Sequence, residues 1–296
     1  GSQMALYLLA GVLVDPGDRV AVEAFGYEPA WGAWLAHGAT LSAIGVDGNG
    51  MDVDTLARRT PPRAVYLTPH HQYPTTVPLA ADRRLKLLRW ADEHRVALIE
   101  DDYDNEYHYD GQPLLPLAAG DRRGSVAYVG TLSKVVAPGL RIGWVVGPPN
   151  LLARIRALRS LVDAQGGLPV EAAVAELLED GELQRHIWRT KRAYHERRDA
   201  LAEALREHLG GALSFRVPAG GMALWADVDP SIDVDAWASA ARARGVLVGT
   251  GQKFALDGKP CPHLRLGFAR HEPAELREAI RTLTKALRPT KPAGSR

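Results

Sequence analysis

Short apolar runs recur along the first part of the chain, and helical patterns separate some of them. These runs predict strands at 19–23, 63–68, 96–100, 126–130 and 141–147. Several are almost continuously apolar, which is typical of strands buried on both faces of a sheet. Between two of them, segment 81–95 places Leu85, Leu88 and Ala91 on one face of a predicted helix. The alternation predicts a mostly parallel sheet with crossover helices.

The pattern changes after Pro149, where helical periodicity dominates. The later elements predicted from the pattern are helices at 151–163 and 169–209, a hairpin-like pair at 213–228, a helix at 234–245, strands at 246–251 and 263–269, and a helix at 273–287. We therefore expect an α/β chain with a large domain over 1–165 and a smaller α+β domain over 166–289. A disordered tail is expected at 290–296.

Composition and charge narrow the class of protein. The chain has 296 residues, which suits a large domain plus a smaller one. Its 36 Lys and Arg nearly cancel its 35 Asp and Glu, so nothing favours nucleic acid or an anionic membrane as the main partner. The one cysteine, Cys261, excludes an intrachain disulfide and fits a cytoplasmic location. No apolar run approaches the ~18 residues that a membrane span needs.

Polar side chains follow four of the predicted strands at the points where these strands end. The segments that carry them are Gly26 and Tyr27 after the first strand, 68–76 after the second, 101–104 after the third and 131–134 after the fourth. Ligands of open parallel sheets bind beyond the carboxyl ends of the strands. The sequence therefore predicts one binding site to which all four segments contribute.

Lys134 is the single amine of the apolar segment 129–144. Apolar surroundings favour the neutral amine, which is a nucleophile and can form a Schiff base with a carbonyl. The ordinary alternative is a lysine that reaches solvent or pairs with an acid. Thr131 and Ser133 can donate to phosphate oxygens, and Arg141 can bind phosphate through two parallel hydrogen bonds. The segment is thus suited to a ligand that carries both a carbonyl and a phosphate.

Three other short segments offer chemistry of their own. Residues 1–3 open a predicted helix, whose first amides can bind an anion. The acidic segment 100–110 could hold a protonated ring nitrogen or could be a solvated loop, and it lacks calcium-loop spacing. His70 and His71 raise the question of a metal, but no third ligand has the usual spacing, so no metal is predicted.

The segments TLSKVVAPGLRIGW (131–144), IEDDYDNEY (99–107) and HLRLGFA (263–269) resemble those of the fold-type-I pyridoxal-phosphate enzymes. The chain is most similar to the aminotransferase-like domain of the MocR/GabR transcription regulators, from Gly1 to about Leu287. The resemblance implies the PLP-dependent transferase fold of type I, with helices on both faces of a mostly parallel central sheet. It also implies pyridoxal 5'-phosphate as the cofactor and a homodimer with the active site at the subunit interface.

The resemblance implies a role for each candidate residue. Lys134 would bind the cofactor aldehyde covalently, and Asp101, with Asp102 as its rival, would pair with the ring nitrogen. The remaining implied contacts are Tyr103 to the ring 3-oxygen, Tyr27 on the ring face, Ser2, Gln3, Thr131, Ser133 and Arg141 at the phosphate, and Arg265 at the α-carboxylate of an amino acid.

The chain departs from the family pattern at 73–76, where YPTT replaces the common Asn-Pro-Thr-Gly. In the family the asparagine usually contacts the ring 3-oxygen, and here His71, Gln72 and Tyr73 are alternatives for that contact. Pro29, two residues after Tyr27, offers no cation for a second substrate carboxylate. A γ-amino acid or dicarboxylate substrate is therefore disfavoured.

The chain enters a helix at once, so we expect that an N-terminal portion precedes Gly1. In the MocR-type regulators that portion holds a winged helix-turn-helix. Only this domain would bind DNA. The resemblance leaves two functions open. One is an effector-sensing domain for a small amine or amino acid, and the other is a class I/II aminotransferase in which Lys134 moves a proton. A cofactor-free interaction domain is the third alternative.

Overall fold

A computed structural model describes residues 1–112 and 114–287. The tail predicted at 290–296 lies outside the described residues. The helices are α1 (Ser2–Leu13), α2 (Glu28–Ala36), α3 (Val53–Arg58), α4 (Ala81–His94), α5 (Leu117–Gly120), α6 (Pro149–Val162), α7 (Leu168–Glu179), α8 (Glu182–Leu209), α9 (Val234–Arg242) and α10 (Pro273–Ala286). The strands are β1 (Arg19–Glu23), β2 (Thr40–Ile44), β3 (Val46–Asp47), β4 (Gly50–Met51), β5 (Ala64–Leu67), β6 (Ala97–Asp102), β7 (Val126–Thr131), β8 (Gly143–Val146), β9 (Leu213–Phe215), β10 (Ala223–Val228), β11 (Gly249–Thr250) and β12 (His263–Gly267).

The main sheet has six strands in the order β2-β1-β5-β6-β7-β8. All neighbouring pairs are parallel except β7 with β8, which is antiparallel. The predicted mostly parallel sheet is therefore confirmed. Sequence reasoning missed β2, because this edge strand is only partly buried and lacks a continuous apolar run.

Two predictions about the large sheet and its helices are wrong in detail. The strand predicted at 141–147 begins only at Gly143, because Arg141 has a φ of 56° in the left-handed region, directly after the 3-10 turn Pro138–Leu140. Helix α4 forms as predicted, but Leu85 is 57% exposed.

The buried face of α4 includes Leu87 and Trp90, together with the predicted Ala91. Arg84 lies on the same buried side, where its guanidinium donates to the main-chain carbonyls of three residues: Pro69, Leu79 and Leu115. These bonds satisfy a buried charge. They hold the arginine side of the helix inward and leave Leu85 outside.

The C-terminal part forms a second, antiparallel sheet in the order β11-β12-β10-β9. Helices α8, α9 and α10 cover it with a core that includes Leu205, Trp237 and Ile280. The strand predicted at 246–251 is wrong except for the two residues of β11, since the chain turns at once into the 3-10 helix Gly251–Phe254.

The predicted helical stretch 169–209 is divided into α7 and α8 at Gly181, which has a φ of 70°. The side chains of Val174 and Leu183 pack on Leu132 and Val135, next to Lys134. The beginning of α8 thus contacts the lysine segment, and its later turns belong to the core of the small sheet. The division at residue 165 stays a prediction.

Two isolated backbone bridges, Phe25 with Ala255 and His108 with Gly220, connect loops near the main sheet with loops near the second sheet. A side chain at position 220 would force a local shift, because a Cβ there would lie 2.1 Å from His71 Nε2. No helix in the described ranges is long and apolar enough to cross a membrane.

Candidate active site

Strands β1, β5, β6 and β7 are neighbours and parallel, so the residues that follow them share one edge of the sheet. The predicted convergence is confirmed. Tyr66 Oη donates to Asp101 Oδ2 at 2.7 Å, and Lys134 is near enough for its charge to act on the Asp101 carboxylate. The rings of Tyr27 and Tyr73 meet edge to face at 5.6 Å between centroids.

Asp101 and Asp102 face opposite sides of the sheet because side chains alternate along a strand. Asp101 faces Tyr66 and Lys134, whereas Asp102 accepts from Tyr128 Oη at 3.0 Å and lies 3.2 Å from His70 Nδ1. Of the two rivals, Asp101 is the one on the lysine side.

The pKa of Asp101 is raised to about 6. Burial is the main cause; the Tyr66 hydrogen bond opposes it, and the charges of Asp102 and Asp104 add to it. A cation placed against Asp101 would favour its ionised form. The carboxylate is therefore suited to a positively charged ring nitrogen.

The side chain of Lys134 is exposed, although Leu132 and Val135 beside it are buried. The expectation of a desolvated lysine is therefore wrong for this chain. The apolar neighbours point toward α7 and α8, while the lysine points away from them. Tyr107 Oη donates to the Lys134 carbonyl at 3.4 Å.

The predicted phosphate-binding residues meet beside the N-terminus of α1. Thr131 Oγ1 donates to Ser133 Oγ at 3.0 Å. Thr131 also pairs with Gly143 across β7 and β8, and a Cβ on Gly143 would lie 2.6 Å from the Ser2 amide nitrogen.

Arg141 completes this group. The backbone nitrogen of Gly1 donates to the Arg141 carbonyl at 2.7 Å, and a Cβ on Gly1 would lie 3.0 Å from Arg141 Nη2. Hydroxyls, first-turn amides and a guanidinium together form an anion-binding arrangement. The Gln3 side chain lies apart from it, since Nε2 donates to the Pro29 carbonyl at 2.7 Å.

Arg265 extends over the ring of Tyr73, with its guanidinium carbon 4.9 Å from the ring centroid. Its Nε is buried and, in the described part of the chain, has no hydrogen-bond acceptor. Buried donors are normally paired, so this guanidinium is suited to an anionic ligand. Tyr73 also contacts Tyr103 and Phe254 edge to face at 5.9 and 5.6 Å.

The three alternatives for the ring 3-oxygen differ in their surroundings. The Gln72 amide is already used by the main chain, since Nε2 donates to the carbonyls of Phe25 and Tyr73 and Oε1 accepts from the Thr75 amide. His71 Nδ1 lies 2.8 Å from Asp104 Oδ1, turned toward Gly220. Tyr73 is the alternative that lies beside Tyr27 and Arg265.

Tyr103 is near this group, but its hydroxyl donates to the main-chain carbonyl of His71 at 2.9 Å. The peptide between Tyr73 and Pro74 is cis. The side-chain hydroxyl predicted to contact the ligand is thus bonded to the loop that carries Tyr73.

Sequence reasoning missed Glu23, a 3% exposed carboxylate at the end of β1. Its Oε2 accepts from the Thr68 amide at 3.0 Å and from Thr68 Oγ1 at 2.9 Å. The Thr68 hydroxyl in turn accepts from the Tyr73 amide at 2.9 Å. Burial raises the pKa of Glu23 to about 7. A carboxylate directly after the apolar run of β1 was the available signal.

Comparisons with known proteins give a family and several relatives. The family model "Aminotransferase class I and II" matches residues 1–283. The chain is 32% identical to Aromatic-amino-acid aminotransferase 1 of Thermococcus litoralis, over 97% of the chain and 71% of that protein. It is also 32% identical to the probable rhizopine catabolism regulatory protein MocR of Rhizobium meliloti, over 97% of the chain but 58% of the regulator.

Among solved structures, the kynurenine aminotransferase of Pyrococcus horikoshii in complex with PMP aligns with a TM-score of 0.89 and 32% identity. The alignment covers 97% of this chain and 73% of that one.

Within residues 1–112 and 114–287, no group of three or more His, Cys, Asp or Glu side chains could hold a metal.

Proposed function

Because the chain belongs to the class I and II aminotransferase family, whose cofactor is pyridoxal 5'-phosphate, we propose that this cofactor binds at the carboxyl edge of the main sheet. The convergence of Lys134, Asp101 and the anion-binding group at that edge carries the proposal. The residues fit the group, since they offer an amine, a carboxylate and a phosphate cradle within one site. When bound, pyridoxal phosphate supplies a ring that accepts electrons from the carbon next to the amine.

Each side chain then has a defined task. Lys134 binds the cofactor covalently, and Asp101 pairs with the ring nitrogen. The phosphate is held by Ser2, Thr131, Ser133 and Arg141. Gln3 contributes only through its main chain in the first turn of α1, because its side chain bonds to Pro29. Tyr27 covers the ring face, and Tyr73 or Tyr103 lies nearest the ring oxygen.

We propose that a small amine or amino acid displaces Lys134 from the cofactor, and that the protein uses this displacement as the signal that the ligand is present. Arg265 binds the α-carboxylate when the incoming amine is an amino acid, because its guanidinium lies above Tyr73 with a buried, unpaired Nε among the described residues. The 32% identity to a MocR-type regulator supports the sensor function. DNA binding would belong to a part of the protein outside this chain, since the chain spans 58% of that relative.

A replacement of Arg265 tests this assignment. In the Arg265→Gln protein, amino acids should displace Lys134 with at least tenfold weaker affinity, since one charged bidentate contact is worth about 1.5–3 kcal/mol. A simple amine without a carboxylate should act on both proteins equally. Equal loss for both ligand types would contradict the assignment.

The second candidate function is that of an aminotransferase acting on an α-amino acid. It is favoured by the match to 71% of an aromatic-amino-acid aminotransferase at 32% identity. In that case the released Lys134 amine also moves the proton from the α-carbon as general base. Assay of the purified, cofactor-loaded protein with an amino acid and a keto acid separates the two functions. The sensor predicts at most one conversion per site, and repeated turnover would establish the aminotransferase.

We also propose that the chain forms a homodimer. The edge strand β8 exposes Trp144 and Val146, which are 37% and 55% exposed. Exposed apolar side chains on the edge strand of a sheet are suited to a protein contact. Sedimentation analysis should give twice the mass of the chain, and a monomer at micromolar concentration would contradict this proposal.

A further inference from the structure

The consecutive histidines His70 and His71 each face a buried carboxylate at the rim of the candidate site. His70 Nδ1 lies 3.2 Å from Asp102 Oδ2, and His71 Nδ1 lies 2.8 Å from Asp104 Oδ1. All four side chains are at most 4% exposed. Charges interact most strongly where water is excluded, so these contacts differ from surface ion pairs.

Asp101 directly precedes the two paired carboxylates, Asp102 and Asp104, in the chain and is affected by both. Burial is the main reason for its raised pKa, and the charges of Asp102 and Asp104 raise that pKa further. A positive charge or hydrogen-bond donor at either neighbour reduces this repulsion and favours ionised Asp101. The two histidines occupy those positions.

We propose that His70 and His71 are positioning residues for Asp101, because His70 holds Asp102 and His71 holds Asp104, and these contacts together keep Asp101 ionised for the cofactor's ring nitrogen. The inference rests on the proposed function. It gives the His-His motif a role that needs no metal.

Several other charged or titratable groups face these residues and contribute to the balance. They are Glu23, Tyr27, Tyr66, Tyr103 and Lys134 around Asp101, Tyr128 at Asp102, Arg84, Glu100 and Glu106 around His70, and His108 beside His71. Burial lowers the pKa of His70, but the hydrogen bond and charge of Asp102 outweigh it, and the net pKa is raised. His70 is therefore favoured as the cation that offsets Asp102.

The carboxyl titration of Asp101 in the cofactor-free protein tests the inference directly. Carbon NMR of aspartate-labelled protein follows it, with the signal assigned from the Asp101→Asn variant. The wild-type midpoint is expected near pH 6. His70→Gln keeps a hydrogen-bonding group but removes the charge, and should raise the midpoint by about one pH unit. His94→Gln is the matched control, because the His94 ring bonds to the Trp90 carbonyl on α4 and should leave the midpoint unchanged.

A double variant separates charge from structure. His70→Gln combined with Asp102→Asn removes both the cation and the carboxylate that it offsets, so the midpoint should return to the wild-type value. Asp102→Asn alone, which keeps the Tyr128 and His70 contacts, should lower it. The second pair, His71→Gln with and without Asp104→Asn, should follow the same pattern. The pH at which pyridoxal phosphate affinity falls should move with each midpoint.

An unmoved Asp101 midpoint in folded His70→Gln would overturn the inference. The inference would also be overturned if the Asp101 midpoint stayed as high in the double variant as in His70→Gln. That result is expected if His70 only supports the local structure. If His70→Gln does not fold, the Asp102→Asn variant decides. An Asp101 midpoint that is not lowered in that variant would also overturn the inference. Wild-type protein that binds no cofactor at any pH is a different result, and it overturns the proposed function.

Discussion

Replacing Glu23 by glutamine should stabilise the cofactor-free protein, and the stabilisation should grow with pH. Glu23 is 3% exposed and accepts two hydrogen bonds from Thr68, which a glutamine Oε1 can also accept. Burial raises the Glu23 pKa from its ordinary 4.5 to about 7. The folded protein therefore binds a proton that the unfolded chain has released, and its stability falls as pH rises from 4.5 until the folded pKa is passed. Above pH 7 this cost amounts to about 3 kcal/mol.

Glutamine does not titrate, so the variant escapes this cost. Its advantage in free energy of unfolding over wild type should increase by about 2 kcal/mol between pH 5 and pH 8. Urea unfolding followed by circular dichroism at both pH values measures the increase. Glu93→Gln, an exposed change on α4, is the matched control and should show no such increase. An advantage for Glu23→Gln that is equal at the two pH values would refute the reasoning.

Two further predictions concern the backbone. Thr76 has a φ of 64°, so Thr76→Gly should be about 1 kcal/mol more stable than Thr76→Ala in urea unfolding, and the reverse order would contradict the assigned conformation. Gly220→Ala should cost about 1–3 kcal/mol, because its Cβ would lie 2.1 Å from His71 Nε2. Gly32→Ala, in an open position within α2, should be neutral or stabilising, and equal effects of the two alanines in thermal unfolding would argue against the close contact.

The sequence predicted five of the six strands of the main sheet and one shared edge for the polar segments that follow them. Continuous apolar runs identify buried strands, and the parallel order then forces their carboxyl ends onto one edge. Lys134 and Asp101 were predicted in this way, and Arg141 was predicted from the segment that also carries Lys134. Arg265 was predicted through the resemblance alone, because nothing in its own strand indicates that its guanidinium extends over Tyr73.

Other features depend on contacts that local patterns do not encode. The choice between Asp101 and Asp102 depends on which face of β6 each occupies, and a shift of one residue would exchange them. The exposure of Lys134 follows from the packing of its neighbours on α7 and α8, which are more than 30 residues away. The outward position of Leu85 depends on three carbonyls that Arg84 reaches from α4.

Covalent trapping of the cofactor on Lys134 tests the central claim most directly. The protein is saturated with pyridoxal phosphate, reduced with borohydride and digested, and the modified peptide is identified by mass spectrometry. We predict a single pyridoxyl group on Lys134, its absence from Lys134→Ala, and its retention in Lys285→Ala, which changes an exposed lysine of α10. An adduct on another lysine, or none in saturated wild-type protein, would contradict the assignment of this site.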